Sequence, residues 1–431
     1  MSTLLAGTAT TDITPPLGAY LAGYYRPRQA EEVHDPLLAR ALCLSDSRRE
    51  IAFVSCDLVG LSAGQVAQAK ERITELCGLT PAQVLVGCTH THTGPETRAT
   101  GMFPVDPVYA EILTQRIADA AVLAHRRLQP ARLTYGSGYE GSVAFNRRFW
   151  MRDGGVRTNP GVGNPDIVRA AGPIDPQVGV IAVQRPDGTP LAVLINYAVH
   201  LDTTGGSNVS ADYPYYLTEA LRSRFGREVV VLFHPGAMGD INHIDVTAKG
   251  LPLKGESHPS RIGNTLAGEA LKVLARANYT DDLVVASALS RIELPLRAVT
   301  AERAAEAERI VREVSVGDAD FTLDVVAARR DRDLGRLQAT TLSAEVQALR
   351  IGEVGIVAFP GELFVELGLL AKARSPFATT LVVELANDSI GYIPTRRAYS
   401  EGGYEVTSTV LAPGVGELLV EEALRLLAGL R

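Results

Sequence analysis

The sequence predicts an α/β protein, or an α+β one, built as an enzyme-like chain without internal repeats. Three observations predict it. Apolar, β-rich runs alternate with amphipathic helical stretches through much of the chain. Several runs stop at turn signals such as Gly94-Pro95, Pro186-Asp187-Gly188 and Pro360-Gly361. No segment recurs at a fixed period.

In chain order, Ile51 to Cys56 reads as a strand and Gly64 to Cys77 carries helical spacing. Gln83 to Cys88 is a second strand, and Asp106 to Arg127 a helix. Gly155 to Gly172, rich in Gly, Pro and Asn, reads as a loop. Val178 to Val183 and Leu191 to Tyr197 form a hairpin around Pro186-Asp187-Gly188. Tyr213 to Phe225 is helical, Val229 to Phe233 a strand, and Arg261 to Ala277 a helix. Charge-laced helical stretches follow Ile292, among them Ala301 to Val314, and residues 300 to 340 read as a helical excursion. Strands at Leu342 to Ile351 and Val354 to Phe359 precede a helix at Leu363 to Ala373, and a last helix runs from Val415 to Leu427. No linker divides the chain, so residues 1 to 431 are expected to form one domain.

Composition narrows the function. Apolar residues make up 46% and charged residues 21% of 431, ordinary for a water-soluble globular chain with ample core. A formal charge of −7, with no dense Lys/Arg block, argues against nucleic-acid binding. No apolar stretch reaches the ~18 residues of a membrane span, so stable membrane insertion is not expected. The N-terminus has no basic segment leading into an apolar one, and Cys43, Cys56, Cys77 and Cys88 are scattered without metal spacing. Both features point to a cytoplasmic protein with reduced thiols that acts on a small molecule; a homo-oligomer is allowed.

The chemistry concentrates in Cys88-Thr89-His90-Thr91-His92-Thr93-Gly94-Pro95, which follows the apolar run Val84 to Gly87. Side chains two apart on a strand share a face, so His90 and His92 are expected to project together from its end. Two imidazoles there suit a transition metal with a proton handled beside it. His200 ends the apolar run Leu194 to Val199 and reads either as a satisfied core histidine or as a partner of His90. Catalytic zinc needs three protein ligands from different elements, which brings the second reading level with the first. Glu362, after Phe359-Pro360-Gly361, is on composition first a carboxylate in an opening helical turn, favoured by the helix dipole. Tyr392 and Tyr404, beside glycines, read on residues alone as packing or turn positions. His125, late on a helix beside Arg126 and Arg127, reads as structural. Asp57 and Asp202 read as partners for imidazoles or as structural hydrogen-bonders. Ala99 to Val105 and Trp150 could form small apolar lips but read more readily as pocket wall.

Taken together these residues resemble the catalytic domain of the neutral (non-lysosomal) ceramidase family and its bacterial relatives. The resemblance runs through Asp12-Ile13-Thr14-Pro15-Pro16, Gly23-Tyr24, His34-Asp35-Pro36-Leu37, Thr89 to Pro95 and Asn146-Arg147. It continues through Asn196 to His200, Gly239-Asp240-Ile241-Asn242, Pro360-Gly361-Glu362 and the Tyr392/Tyr404 segment. It implies central mixed sheets with flanking helices, and a zinc-dependent amidohydrolase with one zinc per chain. By position, His90, His200, Glu362 and Tyr392 match that family's zinc ligands. His92, Arg147 and Tyr404 match its residues around the reacting amide, with His92 handling the proton. His34 is a pocket candidate. Where ceramidases read Gly-Asp-Val-Ser-Pro-Asn, Asn242 stands in place of serine, which removes a nucleophile and leaves either a hydrogen-bond donor to the carbonyl or a turn residue. The family's C-terminal immunoglobulin-like domain and signal peptide are not seen in these 431 residues. The expected substrate is therefore a small soluble amide rather than ceramide. A metal-dependent esterase or lactonase with the same site, and a non-catalytic metal-stabilised binding protein, are the alternatives.

Overall fold

The computed structural model describes residues 4–98, 103–248, 253, 255–314, 322–337 and 339–431. The chain is a mixed α/β protein in which three larger sheets turn one face each toward a common core. The first sheet runs in the order Val84–Cys88, Glu50–Cys56, Leu38–Ser45, Leu5–Asp12, Gln129–Pro130. The second runs Val230–Pro235, Pro190–Tyr197, Gln177–Gln184, Arg132–Tyr139, and the third Val285–Pro295, Thr341–Ile351, Val354–Ala358, Thr379–Val383.

Alternation along the strands decides what each face meets. Leu42, Leu44 and Phe53 point into the common core with Ile181, Leu194, Leu232, Leu349 and Leu381. Ala41, Cys43, Val54, Val180 and Ile195 point the other way, where Ile73, Ile117, Leu217 and Ile262 of four helices cover them. Those helices are Ala63–Cys77, Pro107–Arg126, Tyr213–Phe225 and Ser257–Leu274. The outer face of the third sheet, with Val346 and Val357, is covered by Val365–Arg374 and Val415–Leu430.

One topological device recurs in all three sheets. Each holds a single parallel pair among otherwise antiparallel neighbours: Ala52↔Val84 through Cys56↔Cys88, Ala192↔Val230 through Tyr197↔Pro235, and Val354↔Thr379 through Ala358↔Val383. The C-terminal ends of parallel strands in α/β sheets are where ligand sites are usually built. Here the chain leaves those ends toward Asp57 and His90, toward His200 and Asp240, and toward Glu362 and Glu384.

The elements expected from periodicity appear, most within a residue or two, and the 178–197 hairpin closes on Arg185 N–H to Thr189 carbonyl at 2.8 Å. Three differ. The stretch 155–172 is not all loop: Val156–Thr158 and Ile167–Ala170 flank Arg148–Met151 in a small sheet, with the Gly/Pro-rich residues confined to the connection. The helix expected from Arg261 begins at Ser257, because Pro259 falls in the first turn, where its missing N–H costs nothing. It ends at Leu274. The helix expected from Leu363 begins at Val365. Within 300–340, Ala301–Glu313 and Leu323–Leu337 are helices; residues 315–321 and 338 lie outside the described residues, as does most of the 99–105 lip. Among the described residues no helix is long and apolar enough to cross a membrane.

Candidate metal centre

His90, His92 and His200 converge, with their ligand atoms all within 4.8 Å of one another. The backbone reason is not strand alternation. The strand ends at Cys88, and His90 sits in the left-handed region at φ 75°, a conformation a non-glycine residue adopts only when its surroundings hold it. Those surroundings are visible. The His90 N–H donates to the Leu58 carbonyl at 2.8 Å, and the ring Nδ1 meets the Val59 carbonyl at 2.6 Å, leaving Nε2 to face inward. The His92 N–H donates to the Leu201 carbonyl at 3.1 Å, tying the two histidine segments together. Gly23, at φ 93°, makes room: a Cβ there would lie 2.6 Å from His92 Cγ. The segment after His200 is held by Asp212, which accepts the Thr203 N–H at 2.8 Å.

Glu362 is not a helix-start carboxylate. Glu362–Leu363 forms a two-residue parallel pairing with Tyr392–Ile393, in which Glu362 and Tyr392 are direct partners. That pairing delays the helix to Val365 and aims both side chains at the histidines; Glu366 is the acidic residue of the first turn. Glu362 Oε2 lies 3.7 Å from His90 Nε2 and 3.9 Å from His200 Nε2.

Electrostatics fit a cation here. Burial pushes the His90 imidazole down to about 3 and the His200 imidazole well below its usual range, so both are neutral, the form that binds metal. Burial pushes the Glu362 carboxyl up to about 7, against the pull of Arg147 and the Tyr392 hydrogen bond. Its Oε2 is buried without a hydrogen-bond partner, an arrangement that costs energy unless something positive occupies the space between. Ligands ~2.0–2.2 Å from a tetrahedral ion stand roughly 3.3–3.6 Å apart, close to the two separations seen. The donor set of imidazoles, carboxylate and phenol suits a divalent ion such as zinc.

Around this group lies a second layer. The Arg147 guanidinium stands 5.3 Å from the Tyr392 ring centre, and Arg147 and Tyr392 both favour the charged form of Glu362. Arg147 gives Nε to Glu405 at 2.7 Å and Nη2 to the Gly239 carbonyl at 2.8 Å. Although burial works against its charge, Tyr392, Glu405 and Glu362 hold the guanidinium protonated. Tyr404 lines the cavity, its hydroxyl 2.6 Å from that of Tyr25; burial pushes both phenols up. The Tyr24 ring meets His92 edge-on at 5.5 Å, and its hydroxyl bonds Asp202.

Two expected residues are placed elsewhere. Asn242 donates to Asn159 Oδ1 at 2.6 Å and accepts the Ile244 N–H at 2.9 Å, as a turn residue does, and does not line the cavity. His34 opens on a separate cavity with Tyr216, its Nε2 3.1 Å from that hydroxyl. His125 is structural, its Nε2 3.1 Å from Glu50.

Sequence reasoning missed Tyr25, Glu96, Arg98 and Val59 on the cavity wall, and Glu384 behind it. Buried Glu384 accepts the Met238 N–H at 3.0 Å and the Leu363 N–H at 2.9 Å, clamping the Glu362 segment. Only position could have signalled these: Tyr25 follows Gly23-Tyr24, and Glu96 and Arg98 follow His92 within six residues.

Comparison with known proteins places this architecture. No family model matches the chain. Neutral ceramidase B of Dictyostelium discoideum is 26% identical over 220 residues, 46% of this chain; the chain spans 29% of the length of that curated relative. The crystal structure of neutral ceramidase from Pseudomonas aeruginosa matches with a TM-score of 0.79 at 18% identity, covering 100% of this chain and 75% of that one. A ceramidase complexed with C2 matches at 0.76 and 18%, covering 100% and 76%. The chain has a neutral-ceramidase-like fold.

Proposed function

We propose that this chain is a zinc-dependent amidohydrolase that cleaves the linear C–N bond of a small, soluble N-acyl compound. One ion would be held by His90, His200, Glu362 and Tyr392. The observation that carries the reading is the buried, unpartnered Glu362 Oε2 facing two neutral imidazoles at 3.7 and 3.9 Å, within a fold shared with ceramidases. When bound, a divalent cation supplies Lewis acidity and brings the pKa of water in the site near neutrality.

The chain's own groups do the rest. His92, on the cavity wall and braced by Gly23 and Tyr24, takes the proton of the attacking water and returns it to the departing nitrogen. Tyr404 keeps its proton, because burial raises its pKa, and donates to the carbonyl oxygen as negative charge builds there. Arg147, whose Nε and Nη2 are committed to Glu405 and Gly239, acts as a fixed positive charge that orients Tyr392. With Asn242 bound into its turn, no side-chain nucleophile is required.

An esterase or lactonase using the same groups is the second reading, distinguished by its indifference to proton delivery at nitrogen. The test is amine release from a panel of short N-acyl compounds by purified, chelated and zinc-reloaded protein. Release that disappears on chelation and returns with zinc is expected. Ester cleavage without amide cleavage would select the second reading, and metal-independent release would contradict both.

A further inference from the structure

The cavity before His90, His92 and Glu362 is small, and its walls mix charged and phenolic groups with apolar surface. Its volume of about 150 Å³ is room for roughly five waters, below the ~300–1,000 Å³ of pockets that enclose drug-sized ligands. Glu96, Arg98 and the phenols of Tyr24, Tyr25 and Tyr404 line it. Among the described residues Arg98 is the cation of that lining.

Arg98 is fixed in place. Its Nη1 donates to Ser389 Oγ at 3.0 Å. Glu96 Oε1 accepts the Thr97 and Arg98 N–H groups at 3.1 and 3.0 Å and stands 3.6 Å from Arg98 Nε, beyond hydrogen-bond reach. That Nε is buried without a hydrogen-bond partner among the described residues. Gly60 leaves the space: a Cβ there would lie 2.8 Å from Ser389 Oγ and 3.4 Å from Arg98 Nη1. The same short segment references Arg98 to the centre. The Val59 carbonyl takes His90 Nδ1 at 2.6 Å, and the Gly60 carbonyl takes the Thr97 hydroxyl at 2.6 Å. With its side chain 24% exposed, Arg98 is partly desolvated yet reaches the cavity, and a guanidinium pairs well with a carboxylate.

Resting on the amidohydrolase reading, we infer that the substrate carries a carboxylate near its scissile amide, bound by Arg98, which makes N-acylated amino acids the substrate class.

The test compares N-acetylglycine with N-acetylglycinamide, and longer N-acyl amino acids with their carboxamides, on the zinc-loaded protein. A charge-assisted contact is worth a preference of about tenfold to a hundredfold in kcat/KM for the acid, carried by KM. Arg98→Gln abolishes the preference, and Arg98→Lys keeps part of it. Saturation-transfer NMR of N-acetylglycine binding, with and without Arg98→Gln, reads the same contact without turnover. Equal handling of acid and carboxamide by the wild type, or a preference that survives Arg98→Gln, overturns the assignment. If no amide is cleaved, the amidohydrolase reading fails, and the binding arm still decides for or against Arg98 as a carboxylate site.

Discussion

Replacing Glu362 by glutamine separates a metal ligand from a structural carboxylate, because the two roles predict opposite signs. Without metal, burial holds the Glu362 carboxyl up at about 7 rather than 4.5. A raised carboxyl pKa means that the fold disfavours the charge. The penalty grows as pH rises from 4.5 and is complete above about 7, amounting to roughly 3 kcal/mol. Glutamine keeps the shape and sheds the charge. Metal-free Glu362→Gln should therefore be more stable than metal-free wild type at pH 8, by up to ~3 °C in Tm for a chain of this length, and equal to it near pH 4. Zinc works against this lead and removes most of it. Loss of a partner behind a ligand alone costs ~10–100-fold in metal affinity, so losing the ligand's charge should cost at least ~100-fold, or ~2.7 kcal/mol. Differential scanning fluorimetry at pH 8, with and without saturating zinc, reads both effects. A variant that melts lower than wild type without metal, and gains as much from zinc, would make Glu362 a structural carboxylate.

Three further outcomes follow from the same geometry. His92→Ala should lower amide turnover by ~10²–10⁴-fold and turnover of an activated ester far less, with zinc content unchanged; loss of zinc, measured by mass spectrometry, would instead make His92 a third imidazole ligand. Gly23→Ala drives a methyl to 2.6 Å from His92 Cγ at φ 93°, and a misplaced base should cost about a hundredfold in kcat. Retained kcat would free His92 of that role. Asp35, buried and bonded to Ser210 Oγ at 2.6 Å and the Ala211 N–H at 2.8 Å, is pushed by burial up to about 6 from 3.8. Stability should therefore fall by roughly 2 kcal/mol from this group as pH rises from 4 to 6, and Asp35→Asn should flatten that slope in denaturant melts; an unchanged slope would contradict it.

What could be read from the sequence was local. The His90/His92 pair stood out by spacing, and the two side chains do meet, but through a left-handed His90 backbone rather than strand alternation. Glu362 shows the limit more sharply. Local rules make it a helix-start acid, and only the pairing with Tyr392, thirty residues later, moves the helix start and turns the carboxylate inward. The parallel pairs that aim His90, His200 and Glu362 at one point join strands about 25 to 38 residues apart and leave no mark in any one strand. Strands such as Leu5–Asp12 and Leu38–Ser45 escaped notice because their small residues carry a weak β signal. Arg98 sits within six residues of His92, yet nothing in its own neighbourhood says that Gly60 and Ser389 will hold it at the cavity wall.

The most direct measurement is metal stoichiometry by plasma mass spectrometry on purified wild type, His90→Ala and Glu362→Ala, each confirmed folded by circular dichroism. One zinc per chain in the wild type, lost from both variants, is the predicted result. A folded wild type that takes up no divalent metal, or variants that retain a full equivalent, would contradict a centre made by these side chains.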